Sequence, residues 1–311
     1  MSFPRLLVAV VSISGLSGQS KLPPDAQPFP AYKVIGNIYY VGASDITSFL
    51  ITTPAGHILL NNGYEASVPL IQASVEGLGF KMRDIKIMLN GQAHFDHVAG
   101  HAALLKLTGA KIYASEADAA VIEGGGKGDP RWEREYSYPP VKVDRRLREG
   151  DIVALGGTTL VAHMTPGHSV GCTTFTMRVK DDGQEYDVVF VGGTTINPGV
   201  KLLNNPKYPN WAEDYAKTFR VLRSLKCDVF LGPHGSHYGM TEKYERLRKG
   251  ERPNPFIDPT GYASFVDRSE RVYKDQLVRE RSATTGRYKS ASPAASPRTS
   301  NDRSSSSQPA P

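Results

Sequence analysis

Thiols are scarce: only Cys172 and Cys227 occur in 311 residues. Two cysteines exclude a disulfide framework and any structural zinc module built on thiolates, so both are expected to be small, buried and unbridged. Long apolar runs are also missing, and none reaches the roughly 18 residues that a membrane-spanning helix needs. Charge of one sign is scarce as well. The formal net charge is +6, yet Arg287, Lys289, Arg298 and Arg303 stand against Asp302 in the tail, and Arg5 lies near the start. The body between them is close to neutral. It asks for neither nucleic acid nor an anionic surface as partner, and the expected partner is a small molecule.

What is present divides the chain into three zones. Residues 1–20 carry Arg5, then the apolar stretch Leu6 to Leu16, then Gly18 and Ser20, which is the order of a signal peptide. Export to the periplasm or the medium is the expectation. Residues 282–311 hold nine serines and four prolines with almost no large apolar side chain, so a disordered tail is expected there. Between them lies a single block without linker or repeat.

Inside that block, β-rich runs alternate with helical patterns. Strands are expected at 32–41, 48–53, 57–61, 85–90, 111–114, 152–165, 172–180, 186–192 and 228–233. Asp181-Asp182-Gly183 reads as a hairpin turn, since Asp-Gly supplies positive φ. Helices are expected at 69–78, 98–107, 117–122, 211–225, 241–249 and 262–281, the fourth opened by a capping box of Asn210 and Glu213. Strands followed by a helix in each half argue for two sheets packed face to face with helices outside, rather than a doubly wound parallel sheet.

One segment carries chemistry that core packing does not ask for. Gln92-Ala93-His94-Phe95-Asp96-His97 follows an apolar strand and enters a helical pattern. Imidazole and carboxylate groups crowded at a strand-to-helix turn suit a zinc ion, which takes such ligands at about 2.0 to 2.2 Å. His168, in Thr165-Pro166-Gly167-His168-Ser169, and His234, in Leu231-Gly232-Pro233-His234-Gly235, also follow apolar strands in Gly/Pro-rich loops. Of the remaining histidines, His101 reads as a surface residue one turn past His97, His57 and His163 carry no role, and His237 is at most a spare ligand.

The His-x-Asp-His turn, Thr-Pro-Gly-His-Ser-x-Gly-Cys-Thr-Thr at 165–174, Asn-Pro-Lys-Tyr-Pro at 205–209 and Cys-Asp-Val-Phe-Leu-Gly-Pro-His at 227–234 resemble the metallo-β-lactamase superfamily. More narrowly they resemble the third subclass of class B β-lactamases, over residues 30–281. The resemblance implies an α/β (α+β) fold, a single-domain αββα sandwich with metal at one edge. It also implies a zinc hydrolase that opens β-lactam amides by a metal-bound hydroxide; a monomer is expected. Carried over, Asp96, His97 and His234 form one complete zinc site, with Asp96 catalytic as well as ligating. Gln92, His94 and His168 form the other, where Gln92 replaces the usual His. An amide oxygen is a weaker ligand than imidazole, so one tightly bound zinc and a second, weaker one are implied.

Asn61-Asn62-Gly63 stands where the family usually shows Asp-Gly, which implies that a carboxylate steadying the ligands is absent. Thr194 and Lys201 are the implied contacts for the substrate carboxylate, and Ile196 removes a hydroxyl that some relatives offer there. Lactonases and thioesterases share the fold and commonly place a metal-bridging Asp on the strand where this chain reads Phe190-Val191-Gly192-Gly193-Thr194-Thr195. They remain the alternative activity, and a degenerate zinc-binding protein without activity is the alternative outside enzymology.

Overall fold

The structure is a computed structural model that describes residues 22–290. The expected leader at 1–20 and the tail beyond Ser290 lie outside the described residues. The first sheet is built in chain order from β1 (Tyr32–Ile35), β2 (Ile38–Tyr40), β3 (Phe49–Thr53), β4 (Gly56–Leu60), β5 (Ile85–Leu89), β6 (Lys111–Ser115) and β7 (Arg145–Leu147). Its first four strands are antiparallel, and β4 to β7 run parallel. The parallel strands need crossovers, which α1 (Val68–Gly77), α2 (Phe95–Val98) with α3 (His101–Thr108), and α4 (Glu116–Glu123) supply.

The second sheet has the order β12-β11-β10-β9-β8. Its strands are β8 (Ile152–Leu155), β9 (Thr158–Met164), β10 (Thr173–Asp181), β11 (Gln184–Phe190) and β12 (Val229–Leu231). Helix α5 (Trp211–Ser224) connects β11 to β12, while α6 (Met240–Arg248) and α7 (Pro259–Ser290) follow.

Strand chemistry explains the layers. Phe49 and Ile51 of β3, Ile58 and Leu60 of β4, and Ile87 and Leu89 of β5 point between the sheets, where they join Phe175, Met177 and Phe190 in one buried core. The intervening Leu50, Leu59 and Met88 point the other way, into a second core with Ile71, Val75, Leu104 and Ile122 of the helices. Because both faces of these strands are covered, they read as unbroken apolar runs rather than alternating ones. The result is the two-sheet sandwich flanked by helices that the sequence indicates, in a single domain.

Several boundaries differ, each for a local reason. The run 32–41 folds back at Gly36, and 152–165 folds back at Gly156-Gly157, all three glycines at positive φ. The hairpin at 181–184 places Asp182 at φ 47 and Gly183 at φ 82, as a type I′ turn requires. The helix expected at 98–107 is two helices. Gly100 interrupts them because its amide bonds Gly63 O and a Cβ there would stand 2.3 Å from Asn62 O. The capping box at Asn210 is absent. Asn210 sits at φ −92, ψ 18 with no side-chain cap bond, and the turn is tied by the Tyr208 hydroxyl on Asp214 Oδ2 instead. Strand β7, short and arginine-rich, escapes a search for β-branched runs. Helix α7 continues past Arg281 to Ser290, since no proline interrupts it before Pro293. Cys172 and Cys227 are buried free thiols, as expected. Among the described residues no helix is long and apolar enough to cross a membrane.

Strands β9, β11 and β12 run the same way, because β10 is antiparallel to both β9 and β11 and β12 is parallel to β11. Their C-terminal ends therefore share one edge. The loops after them, at 165–172, 191–210 and 232–239, face the turn that leaves β5.

Candidate metal centre

The turn after β5 is held from below. Asn61, at φ 60, uses its side-chain oxygen to accept from Gly91 N at 3.1 Å, and Thr173 N donates to Gly91 O at 2.7 Å, joining the two sheets. Asn is one of the few non-glycine residues that tolerate this left-handed backbone. Gln92 is fully buried. Its Nε2 donates to Gly192 O at 3.2 Å, which leaves Oε1 buried with no partner. His94 occupies the N-cap position of α2, so Asp96 and His97 fall in the first helical turn and project from it in different directions.

Asp96, His97 and His234 converge, with one candidate ligand atom from each lying within 4.8 Å of the others. Asp96 Oδ2 stands 3.1 Å from His97 Nε2 and 3.7 Å from His234 Nε2. Burial alone would raise the Asp96 carboxyl, but His97, His94 and His234 outweigh it and hold the group well below the usual carboxylate range. Burial lowers the His97 imidazole, which leaves it neutral and able to donate a lone pair. Both His97 nitrogens lack a hydrogen-bond partner. His234 is steadied from outside, where Asp45 Oδ2 accepts a hydrogen bond from Nδ1 at 2.9 Å while Asp45 Oδ1 accepts from Ser236 N. Those bonds bring the Asp45 carboxyl down to about 2 against the opposing effect of its burial.

The second group is built differently. His94 Nδ1 and His168 Nε2 face each other at 3.1 Å. The other nitrogen of each ring is claimed by an acceptor: His94 Nε2 lies 3.3 Å from Asp129 Oδ2, and His168 Nδ1 bonds Thr195 O at 2.6 Å. With each ring's proton on the nitrogen that faces its acceptor, a lone pair is left on each inner nitrogen. Two lone pairs at that distance repel unless a cation lies between them. Two nitrogens bound to one tetrahedral zinc stand about 3.3 Å apart, which matches. Burial and the neighbouring His94 push the His168 imidazole well below its ordinary value, so it too stays neutral.

The His168 loop is fastened beneath. Asp118, buried at the start of α4, accepts from Gly171 N at 2.9 Å and from Ser169 Oγ at 3.1 Å, and burial pushes its carboxyl up to about 7. Thr218 Oγ1 and Trp211 Nε1 of α5 donate to Pro166 O and Gly167 O.

Over the site stands an aromatic rim. Phe95 stacks on Tyr136 at 3.6 Å, and Trp132 meets His94, Phe95 and Tyr136 edge-on. Tyr64 closes the far side of Phe95 and hydrogen-bonds Asp25.

Several expected roles change. Thr194 is 4% exposed and donates to Ser269 Oγ of α7, so it is turned away from the mouth; the exposed hydroxyl belongs to Thr195, one residue on. Lys201 is exposed, and Ile196 packs partly against the core. His101 is not a surface residue: it is 1% exposed. His237 lies beside His234 with ring centroids 5.1 Å apart but outside the converging group. His163 bonds Thr176, and His57 packs edge-on against Phe80. Position 61 carries no carboxylate, but Asp45 and Asp129 reach His234 and His94 from elsewhere in the chain. Neither was read from the sequence. Asp45 lies in the β2–β3 loop, far from His234 in the chain, and the Gly128-Asp129-Pro130 turn was the only local signal for Asp129.

A two-sheet sandwich between helices, with histidine and aspartate gathered at one strand edge, defines a metallohydrolase-type site. The chain belongs to the metallo-beta-lactamase superfamily, whose family model matches residues 41–234. Its fold is similar to the native FEZ-1 metallo-beta-lactamase from Legionella gormanii, with a TM-score of 0.82 and 44% identity over 83% of this chain and 99% of that one. BJP-1, a subclass B3 metallo-beta-lactamase of Bradyrhizobium japonicum, gives 0.78 and 40% over 84% and 98%. Among curated proteins, a hydroxyacylglutathione hydrolase of Maricaulis maris is 30% identical over 157 residues, 50% of each chain. The chain thus spans about half the length of that relative.

Proposed function

We propose that this protein is a zinc-dependent β-lactamase that opens the amide bond of β-lactam rings. The observation that carries the reading is the 191–199 turn. It reaches the site without an acidic residue, and the outer carboxylates, Asp45 and Asp129, face histidine nitrogens. The structural neighbours named above are β-lactamases over nearly their whole length, which supports the same reading.

Asp96, His97 and His234 would hold one zinc, and Gln92 Oε1, His94 Nδ1 and His168 Nε2 the other. Zinc supplies Lewis acidity and a nucleophile available at neutral pH. The first set is taken to bind tightly and the second, with its amide, more weakly. Asp96, kept ionised by the surrounding histidines, would offset metal charge. Thr195 offers an exposed hydroxyl for the substrate carboxylate, and Lys201 attracts it electrostatically. Phe95, Trp132 and Tyr136 present an apolar wall and restrict water. The apolar stretch after Arg5 is taken as an export signal, which periplasmic protein beginning near residue 21 would bear out.

A second reading, thioester hydrolysis, is favoured by the curated hydroxyacylglutathione hydrolase relatives. Rates on a penicillin, a cephalosporin, a carbapenem and an acylglutathione thioester, with and without chelator, separate the two. Chelator-sensitive lactam turnover well above thioester turnover is expected, and the reverse order would replace the reading. Purified protein that neither holds zinc nor gains activity on zinc addition would point to a non-enzyme.

A further inference from the structure

We propose that Asp129 is a positioning residue through which the Gln92/His94/His168 metal position and the aromatic rim control each other. The proposal rests on the zinc reading above. One buried carboxylate acts in two directions. Asp129 Oδ2 faces His94 Nε2 at 3.3 Å, while Oδ1 accepts from the backbone amides of Arg131 at 2.8 Å and Trp132 at 2.7 Å.

The contacts then run on around the mouth. The Arg131 guanidinium lies 3.7 Å over the Trp132 ring, and its Nε donates to Pro198 O at 2.8 Å. Pro198 belongs to the same 191–199 turn as Thr195, whose carbonyl holds His168 Nδ1. A circuit therefore leaves one histidine of the metal position and returns to the other. At the far end of the rim segment, Tyr138 donates its hydroxyl to Ala93 O, next to His94. Between buried Asp129 and buried Tyr138, residues 130–137 contain no buried side chain. Apart from the stack of Tyr136 and the edge contact of Trp132 on Phe95, these ties hold the segment.

The physical consequence is reciprocal. An acceptor on His94 Nε2 keeps the proton on that nitrogen and leaves Nδ1 free to ligate. Metal at Nδ1 fixes the ring, which fixes Asp129 and so orders the rim. An ordered rim holds the carboxylate in place and reduces the entropy lost on metal binding. Linkage requires the two effects to be equal.

Asp129→Asn tests the idea with little change in shape. The amide oxygen can still accept from Arg131 and Trp132, but its NH2 group then meets His94 Nε2 and favours the tautomer with a proton on Nδ1. The full-length protein is stripped of zinc and titrated with zinc against a chromophoric chelator, and amide hydrogen exchange over 130–137 is followed with and without the metal. In the unmodified protein, zinc should slow that exchange. In Asp129→Asn the weaker zinc phase should loosen by about 10- to 100-fold while the tighter phase stays, and zinc should no longer slow the exchange. Arg131→Ala leaves Asp129 and His94 in place but cuts the tie to Pro198. It should also loosen the weaker phase, by a few-fold, which a purely local role for Asp129 does not produce; it serves equally if Asp129→Asn fails to fold. Unchanged zinc phases in both variants, or exchange indifferent to zinc in the unmodified protein, overturn the proposal and leave the zinc reading standing. Absence of any zinc binding by the unmodified protein overturns both.

Discussion

The two halves of the candidate metal centre are provided for in opposite ways. Asp96, His97 and His234 are the stronger donors by type, two nitrogens and a carboxylate, yet only His234 has an outer partner, and His97 is buried with neither nitrogen hydrogen-bonded. Gln92, His94 and His168 include a neutral amide, yet both imidazoles have their outer nitrogens engaged, by Asp129 and by Thr195 O, and Gln92 is oriented by Gly192 O. Donor identity alone therefore does not rank the halves. One half is rich in ligand charge, and the other in groups that hold its ligands still.

The largest effect expected from this comparison is the loss of a ligand from the charged half. Asp96→Ala should reduce lactam hydrolysis by more than the roughly 10- to 100-fold typical of losing an outer partner, and should abolish the tighter zinc phase. Retained turnover with normal zinc content would remove Asp96 from the centre. Next in size, Asp45→Asn should loosen that same phase by about 10- to 100-fold, because the amide NH2 meets a His234 Nδ1 proton that needs an acceptor. If it loosens the weaker phase instead, the assignment of Asp45 to one half is wrong. Gln92→His moves the other way. It supplies the better donor to the half whose ligands are already oriented, and should tighten the weaker phase by about tenfold, or roughly 1.4 kcal/mol. No tightening would show that orientation, not donor type, limits that half.

How much of this was legible beforehand follows from the range of the interactions. Strand runs such as Phe49–Thr53 and Ile85–Leu89 announce themselves because both faces are buried, and the His-x-Asp-His turn is local, so the donor set could be read from one dimension. Breaks forced by close approach could not. Gly100 separates α2 from α3 because its amide bonds Gly63 O, which arrives from another part of the chain. Asp45 and Asp129 look like ordinary loop acids until the fold brings them to histidines. Thr194 and Thr195 are neighbours, one buried and one exposed, on an irregular stretch, and the pattern of residues contains no phase to separate them. A slip of one position exchanges buried for exposed, as it does along any extended chain.

The smallest expected effect tests the cost of leaving imidazoles unpartnered on the charged side. His101 lies one turn beyond His97 at the start of α3, is 1% exposed, and has neither ring nitrogen hydrogen-bonded. Burial lowers its imidazole from 6.5 to about 3. A histidine whose folded value lies below its unfolded one contributes stability above the unfolded value and loses it as pH falls, because the unfolded chain takes up a proton that the folded one refuses. The loss begins near pH 6.5 and continues towards pH 3. Between pH 7 and 5.5 a single such group should cost about 1 kcal/mol. His101→Gln has no titrating group at that position, so its stability should fall by about that much less over the same interval. Denaturant unfolding of both proteins without zinc, at the two pH values, measures the difference and keeps metal release out of it. Parallel pH dependence in the two proteins would mean that His101 is hydrogen-bonded through buried water and titrates normally, and the contrast between a partnered and an unpartnered half would then extend no further than His97 itself.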